Sequence, residues 1–419
     1  MTLARAFQEA VAALRFYQRR TVITIVSLAW GVACFVILMA YGNGFDSALR
    51  SAFWAIGQDL VLTMPGQTSS QAGGLRSGRA VRLELSDVNA IREASPSVGA
   101  ISPEMMKRNS AVKYGTREKS YTLRGVRAEY QRIRNIHLAS GRWLSSDDTE
   151  RRNRVAVLGA TVAKELFGEA PPEGEEITIE GIRFTVVGVM EAKGQLANYG
   201  RPDNFCLFLP YDVMSLFRDI RYPDLIVWTP VSGTVRDRAI QQVRETLAAI
   251  HKFSPFDDKA VEILAFNQFM HIINGMSLAV KGLLGFIGTL TLGIGGVGLA
   301  NVMLASVIER TREIGVLKAL GGARRWILTQ FFLEAAMVVT AGGALGMAFG
   351  LTAASAVGTM PLFGALFREA AEKGNLEMRV SPGSLLAAMG VLVAVGLVAS
   401  MIPAIKAARL DPIEALRYE

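Results

Sequence analysis

The sequence predicts an α-helical membrane protein with four transmembrane helices and a large α+β extracytoplasmic domain between helices 1 and 2. Three observations carry this expectation. The 419-residue chain is 51% hydrophobic and only 20% charged, below the roughly 25% charge of an average soluble domain. Charge is also absent from four long intervals, between Arg20 and Asp46, Lys281 and Glu309, Glu334 and Arg368, and Arg379 and Lys406. Each exceeds the roughly 20 residues that cross about 30 Å of hydrocarbon at 1.5 Å per residue. Finally, the long segment between the first two intervals alternates strand and helix signals.

In chain order, residues 1–20 place Leu3, Phe7, Ala10, Leu14 and Tyr17 on one helical face, with Arg5, Gln8, Glu9 and Arg15 elsewhere. This pattern suits a cytoplasmic amphipathic helix lying on the membrane surface, or a continuation of the first span. Residues 21–45 form transmembrane helix 1. Their apolar stretch is longer than the roughly 7–15 residues of a signal-peptide core, so an uncleaved anchor is expected. Residues 276–308, 334–358 and 381–405 form helices 2, 3 and 4. Buried core helices are the alternative, but these usually run shorter and keep a polar face.

Residues 46–275 make the α+β domain with stalk-like ends. Leu83–Leu85 reads as a strand leading into an N-cap at Ser86-Asp87 and a helix to Glu93. Ile177 and Ile179, a turn at Glu180-Gly181, and Phe184 and Val186 read as a hairpin. Asn204–Leu209 and Leu225–Thr229 read as strands, and Val235–Ile250 as a helix. Gln67–Gly78 is Gly/Ser-rich and expected to be flexible. Phe45, Leu49, Ala52 with Phe53, and Ile56 recur at helical spacing, as do Phe266, Phe269, Met270 and Ile273. These two stretches read as a paired stalk, or as local amphipathic helices of the domain.

Lysine and arginine near the span ends set the orientation. Arg15, Arg19 and Arg20 precede helix 1, while Arg310, Arg312, Lys318, Arg324 and Arg325 lie between helices 2 and 3. Both segments, and the tail 406–419, are therefore expected on the cytoplasmic side, with 359–380 a short loop opposite. Most of the net charge of +8 sits in the first twenty residues and in the segment from 309 to 334. Basic patches interleaved with aromatics are not evident, so nucleic acid is an unlikely partner and membrane lipid a natural one.

The residues available for chemistry are few. Cys34 and Cys206 define no disulfide framework, and His137, His251 and His271 show no metal-ligand spacing. Gly293-Ile-Gly-Gly-Val-Gly298 matches the dinucleotide pattern but lies inside an apolar span, where close helix packing is the expected role. Gly342, Gly346 and Gly350 repeat by four along helix 3 and are expected to pack likewise. Asn301 is expected to hydrogen-bond across a helix interface. The P-loop pattern is absent from the sequence, so ATP-dependent work would need a partner ATPase. Between helices 2 and 3, residues 309–333 join a charged helix end to a short apolar helix, Ile314–Leu320, and a Gly321-Gly322 breaker. An exposed apolar helix there suits a protein groove, or is simply a turn between spans.

These residues carry a resemblance. Glu309-Arg310-Thr311-Arg312-Glu313-Ile314-Gly315, then Leu317-Lys318-Ala319-Leu320-Gly321 and Ala323, resemble the signature after the second span in MacB/FtsX/LolC-type ABC transporter permeases. The tail from Pro403 through Asp411, Pro412, Glu414, Ala415 and Leu416 is similar to that family's closing motif. Arg154–Gly159, Leu166–Gly168, Phe184–Val189 and Asn43-Gly44 resemble its periplasmic core and the exit from span 1. The resemblance implies a permease of the bacterial inner membrane that dimerises, as homodimer or heterodimer, and works with a cytoplasmic ABC ATPase. Glu309–Ala323 would be the coupling element, with the tail beside it.

On this view the chain is no enzyme and binds no cofactor or metal; ATP and Mg belong to the partner ATPase. MacB itself carries a fused ATPase ahead of its first span, whereas only about twenty residues stand there in this sequence, so a separate ATPase subunit is expected. A periplasmic adaptor and an outer-membrane channel are left open. The expected function is export of an amphiphile by coupling ATP hydrolysis to periplasmic movement. The alternatives are FtsX-like mechanotransmission that activates a periplasmic enzyme, and lipoprotein release.

Overall fold

The computed structural model describes residues 18–72, 74–321, 323–362, 373–409 and 411. The first seventeen residues of the expected amphipathic helix lie outside these, as do Gly322, Pro412, Glu414, Ala415 and Leu416. The helices are α1 Gln18–Trp54, α2 Leu85–Ala94, α3 Tyr130–Ile133, α4 Ser146–Glu150, α5 Ala160–Phe167, α6 Arg236–His251, α7 Met270–Glu309, α8 Thr311–Ala319, α9 Arg324–Val357 and α10 Pro382–Arg409. The strands are β1 Val61–Pro65, β2 Val98–Tyr114, β3 Arg117–Val126, β4 Leu138–Gly141, β5 Val155–Leu158, β6 Glu176–Ile179, β7 Ile182–Met190, β8 Cys206–Pro210, β9 Leu225–Pro230, β10 Val261–Ala265, β11 Thr359–Pro361 and β12 Asn375–Glu377. The chain divides into two compact units: Met1–Ala48 with Asn274–Met360 and Leu376–Glu419, and Leu49–Ile273 with Pro361–Asn375.

In the first unit α1, α7, α9 and α10 are each long and apolar enough to cross a membrane. Leu28, Val32 and Val36 of α1 share a core with Leu292 and Leu299 of α7, Phe331 and Val338 of α9, and Ala388 and Leu392 of α10. Outward-facing positions such as Ile23, Leu278, Phe286, Leu345 and Leu386 stay apolar and exposed. A helix set that is apolar both inside and outside matches a hydrocarbon solvent rather than water. At one end of this unit Asn43 donates to Ser384 Oγ at 2.8 Å and to the Arg379 carbonyl at 3.2 Å. Lys281 donates to Asp46 at 2.9 Å beside it. Gly44 is required there, since a Cβ would sit 2.2 Å from the Glu377 carbonyl oxygen.

The second unit is built on a ten-stranded mixed sheet in the order β10-β1-β9-β2-β3-β8-β5-β7-β4, with β6 pairing β2 and β7. Most neighbours are antiparallel; β3 with β8 and β5 with β7 are parallel. The expected hairpin is β6–β7, with Ile177 opposite Phe184, and its turn residues Glu180 and Gly181 both take positive φ. That is the combination a two-residue turn needs to follow the strand twist. Helices α2 and α6 cover one core, where Val88, Ile91, Val243 and Leu247 meet Trp228 and Ile226.

Two local expectations are corrected. Leu83–Leu85 is not a strand: α2 starts at Leu85, and its N-cap is Glu84, not Ser86. Asp87, three residues on, accepts from the Glu84 backbone N–H at 2.8 Å, so the capping box starts two residues earlier than the serine suggests. The Gly/Ser-rich stretch is also anchored at Ser69 and Ser70. Asp257 accepts from the backbone and hydroxyl of both Ser69 and Ser70, between 2.7 and 3.2 Å.

Candidate functional site

The short helix α8 presents two unlike faces. Thr311, Ile314 and Gly315 are buried, and Ile314 joins Ala404, Ala407 and Ile327 in the core of the first unit. Val316, Leu317 and Leu320 are exposed, by 43%, 42% and 81%. With a spacing of one and four, they form a single stripe on the helix surface. Arg312, Glu313, Ala319, Gly321 and Ala323 are exposed around that stripe. Gly321 takes φ +87, where side chains are strained, and so ends the helix cheaply.

Polar ties hold α8 in place. Lys318 Nζ donates to the Ala408 carbonyl at 3.0 Å, in the last turn of α10, where carbonyls lack partners within the helix. Pro403 is buried inside α10 among Ala404, Ala407 and Ala408, so the described part of the closing motif packs at the same end as α8. Asp411, the other described member of that motif, is exposed. Thr311 Oγ1 donates to the Val307 carbonyl at 3.0 Å. Arg20 of α1 pairs with Glu309 of α7 at 2.5 Å.

A buried carboxyl also lies within one of the long apolar helices. Because α9 begins at Arg324, Glu334 falls within the helix, is 4% exposed, and faces Arg310 at 3.8 Å. Arg20, Glu309, Glu334, Thr24 and Ser306 surround a cavity of about 20 Å³, room for about one water. The sequence marks Glu334 only as the edge of an apolar run and does not show its burial or its Arg310 partner.

The glycine positions separate into packing and non-packing sites. A Cβ at Gly346 would sit 2.4 Å from the Ala29 carbonyl oxygen, at Gly342 2.9 Å from Leu28 Cβ, and at Gly350 3.0 Å from Val36 Cβ. All three meet α1. In the glycine-rich run of α7, Gly295 meets Leu28 and Gly296 meets Val395, while Gly293 meets nothing within 4 Å. The run lies in the middle of a helix with no strand before it, so it cannot make the strand–turn–helix cradle of a dinucleotide site. Gly346→Leu is expected to lower the melting temperature of the detergent-solubilised chain, at a cost of about 1–3 kcal/mol for overpacking. Gly293→Leu, with open space, is expected to leave it unchanged.

Asn301, expected at a helix interface, finds none among the described residues of this chain. It is exposed on α7 rather than set in an interface within the chain. It continues an outward stripe of Leu283, Phe286, Ile287, Leu290, Ile294 and Val297. An amide facing hydrocarbon is costly unless another chain satisfies it.

Sequence reasoning missed the buried charge cluster of the second unit entirely. Glu104 of β2, Arg124 of β3, Arg134 after α3, and Asp203 are fully buried, and Lys193 is 7% exposed. Arg124 pairs with Glu104 at 2.6 Å, Arg134 with Asp203 at 2.6 Å, and Lys193 with Asp203 at 3.0 Å. Burial alone would raise the Asp203 carboxyl, but Arg134, then Lys193 and Arg124, hold it well below the usual carboxylate range. Its members are scattered over a hundred residues with no motif spacing, so no sequence signal could have found it. Among the described residues no group of His, Cys, Asp and Glu side chains is arranged to hold a metal ion.

Comparison with known proteins gives two family matches. Residues 21–246 match the MacB-like periplasmic core domain, and residues 285–412 match the FtsX-like permease C-terminal domain. The chain is 32% identical to the macrolide export ATP-binding/permease protein MacB of Bdellovibrio bacteriovorus, over 96% of this chain and 59% of that protein. It is 32% identical to the MacB of Rhodospirillum rubrum, over 100% and 61%. The chain thus spans about three fifths of the length of these relatives. With the ABC transporter permease YknZ of Bacillus subtilis it shares 26% identity over the full length of both. Among solved structures, the periplasmic region of MacB from Actinobacillus actinomycetemcomitans covers 52% of this chain at 21% identity, with a TM-score of 0.41 and 94% of that chain matched.

Proposed function

Since the chain belongs to the ABC transporter permease family that joins a MacB-like periplasmic core to an FtsX-like permease domain, we propose that it is the transmembrane subunit of a MacB-type exporter. An ATPase on a separate chain binds its cytoplasmic end, and ATP-driven closure is relayed to the periplasmic domain lying between helices 1 and 2. The observation that carries this reading is α8: an apolar stripe of Val316, Leu317 and Leu320 held outward by Ile314 and Lys318. Such a stripe has no reason to face water unless a protein groove covers it.

Other features agree. YknZ, named as a permease, matches over its whole length. A cavity between α9 and α10, lined by Phe332, Val339, Val393 and Leu397, measures about 120 Å³, below the roughly 300 Å³ of a small-molecule site. The proposed cargo is gathered on the periplasmic side, and amphiphilic compounds of the kind the MacB name implies are the expected class. The outward stripe of α7 ending in Asn301 is where a second permease copy packs. The basic residues beside the spans support a topology with both termini in the cytoplasm.

Orientation gives a direct check. In a background lacking Cys34 and Cys206, Phe256→Cys, at a 93% exposed position, is expected to react with a membrane-impermeant maleimide from the periplasmic side. Arg325→Cys, exposed and outside the apolar stripe, reacts only after the inner membrane is opened. The reverse pattern rules the proposed topology out. Extraction of the intact chain from membranes, with bound proteins identified, tests the function: an ABC ATPase subunit must accompany it.

A further inference from the structure

One stretch of the second unit stands between two sets of contacts that nothing so far explains. Residues 191–204 carry almost no regular structure, only the start of a 3-10 turn at Asp203. On one side they grip the segments that enter and leave the unit. Leu196 N–H donates to the Ala52 carbonyl at 3.1 Å, and Ala52 packs on Ala192 and Leu196. The Tyr199 ring lies 6.3 Å from that of Phe266, which lies 6.5 Å from Phe53. Ala52 and Phe53 belong to the last turns of α1, and Phe266 leads into α7.

On the other side the same stretch is tied to the charge cluster. Lys193 Nζ donates to Asp203 at 3.0 Å and to the Arg134 carbonyl at 2.5 Å. Tyr199 Oη donates to Glu104 at 2.7 Å, and Arg124 donates to the Arg201 carbonyl at 2.7 Å. The Arg124 and Arg134 guanidinium groups lie 5.1 and 4.7 Å from the centre of the Tyr199 ring. The chain leaving α1 reaches the same place. Gly57 has φ +132, and a Cβ there would be 2.3 Å from the Ile133 carbonyl oxygen, one peptide before Arg134.

We propose that residues 191–204 form a transmission strap, in which Lys193, Tyr199 and Asp203 are positioning residues that register both stalk ends against the core of the second unit. The inference deepens the reading of the chain as a relay of motion and rests on it. A relay needs a joint that does not slip, and a charge cluster sealed from water holds its geometry far better than a surface ion pair.

The cluster also gives the strap a titration that a merely structural loop would lack. Three cations, Arg124, Arg134 and Lys193, face two carboxylates, Glu104 and Asp203, with the hydroxyls of Tyr130 and Tyr199 and the Cys206 thiol completing the surroundings. Burial first, then Arg134 and Arg124, pull the Lys193 ammonium down to about 8 from 10.5, against the attraction of Asp203. An opened strap therefore keeps a proton that the closed strap has lost between those values, and closure strengthens as pH rises through that window.

Amide hydrogen exchange on the full chain in nanodiscs, corrected for the intrinsic pH dependence of exchange, tests this without any ATPase, so the joint and the transport reading fail separately. Between pH 7 and 9.5 the protection of residues 191–204, 50–57 and 266–273 is expected to rise together, by about tenfold. In Lys193→Met the rise disappears, and Tyr199→Ala loosens all three segments at pH 7 while the β6–β7 hairpin stays protected. A change confined to 191–204, or a pH rise that is absent or survives in Lys193→Met, overturns the proposal. Should Tyr199→Ala unfold the whole unit, the Lys193→Met comparison still decides.

Discussion

Asp203→Leu is expected to destabilise the second unit by about 3–5 kcal/mol, the typical cost of removing one partner from a buried ion pair. The carboxylate is fully buried and accepts from both Arg134 and Lys193. Without it three cations face only Glu104 in a region closed to solvent. Leucine leaves no cavity but is the larger side chain, so Asp203→Asn, nearly equal in size to aspartate, is the companion variant that separates the lost charge from overpacking. Denaturant unfolding followed at the buried Trp228 measures it. Adding Lys193→Met removes one uncompensated charge and is expected to recover part of the loss, a non-additivity that marks residues of one network. The exposed Arg183–Glu176 pair is the control, and its disruption should cost no more than about 1 kcal/mol.

Leu317→Asp is expected to leave the four-helix unit assembled but to lower stimulation of the partner ATPase at least tenfold. The side chain is 42% exposed, whereas the α8 residues that anchor the helix, Thr311, Ile314 and Gly315, are buried. A carboxylate there costs little in water. Buried in an apolar groove, it costs several kcal/mol, and each 1.4 kcal/mol is tenfold in affinity. Leu320→Asp should act likewise, since Leu320 is more exposed still. Steady-state ATP hydrolysis by the assembled complex is the measurement. Unchanged stimulation in both variants would remove α8 from the interface.

The sequence made the spans legible because hydrocarbon demands long charge-free helices, a coarse requirement that length and composition meet. The β6–β7 hairpin was equally readable, since Ile177, Ile179, Phe184 and Val186 alternate cleanly around two residues with positive φ. Strands β2 and β3 were not. Lys107, Arg108, Lys113, Arg117, Glu118 and Lys119 stand on or beside their outward faces and mask the apolar alternation of buried Met105, Val112, Tyr121 and Leu123.

At the candidate site, the family-like run identified α8 but could not say which of its residues face outward. That depends on how α8 meets α10, through Ile314 and through Lys318 at the Ala408 carbonyl. The Lys193–Asp203 cluster lay beyond sequence reasoning, because only the sheet order brings β2, β3 and residues 193–203 together. Asn301 raises a different question. An amide in an apolar span signals an interface, but periodicity alone does not tell an internal contact from one made by another chain.

The most direct test is ATP hydrolysis by the complex recovered with the intact chain from native membranes and reconstituted in nanodiscs, set against the recovered ATPase alone. If the chain is the permease half of a MacB-type exporter, an ABC ATPase co-purifies and its turnover rises in the presence of the chain. Recovery of the chain without an ABC ATPase, or turnover indifferent to its presence, would contradict the account.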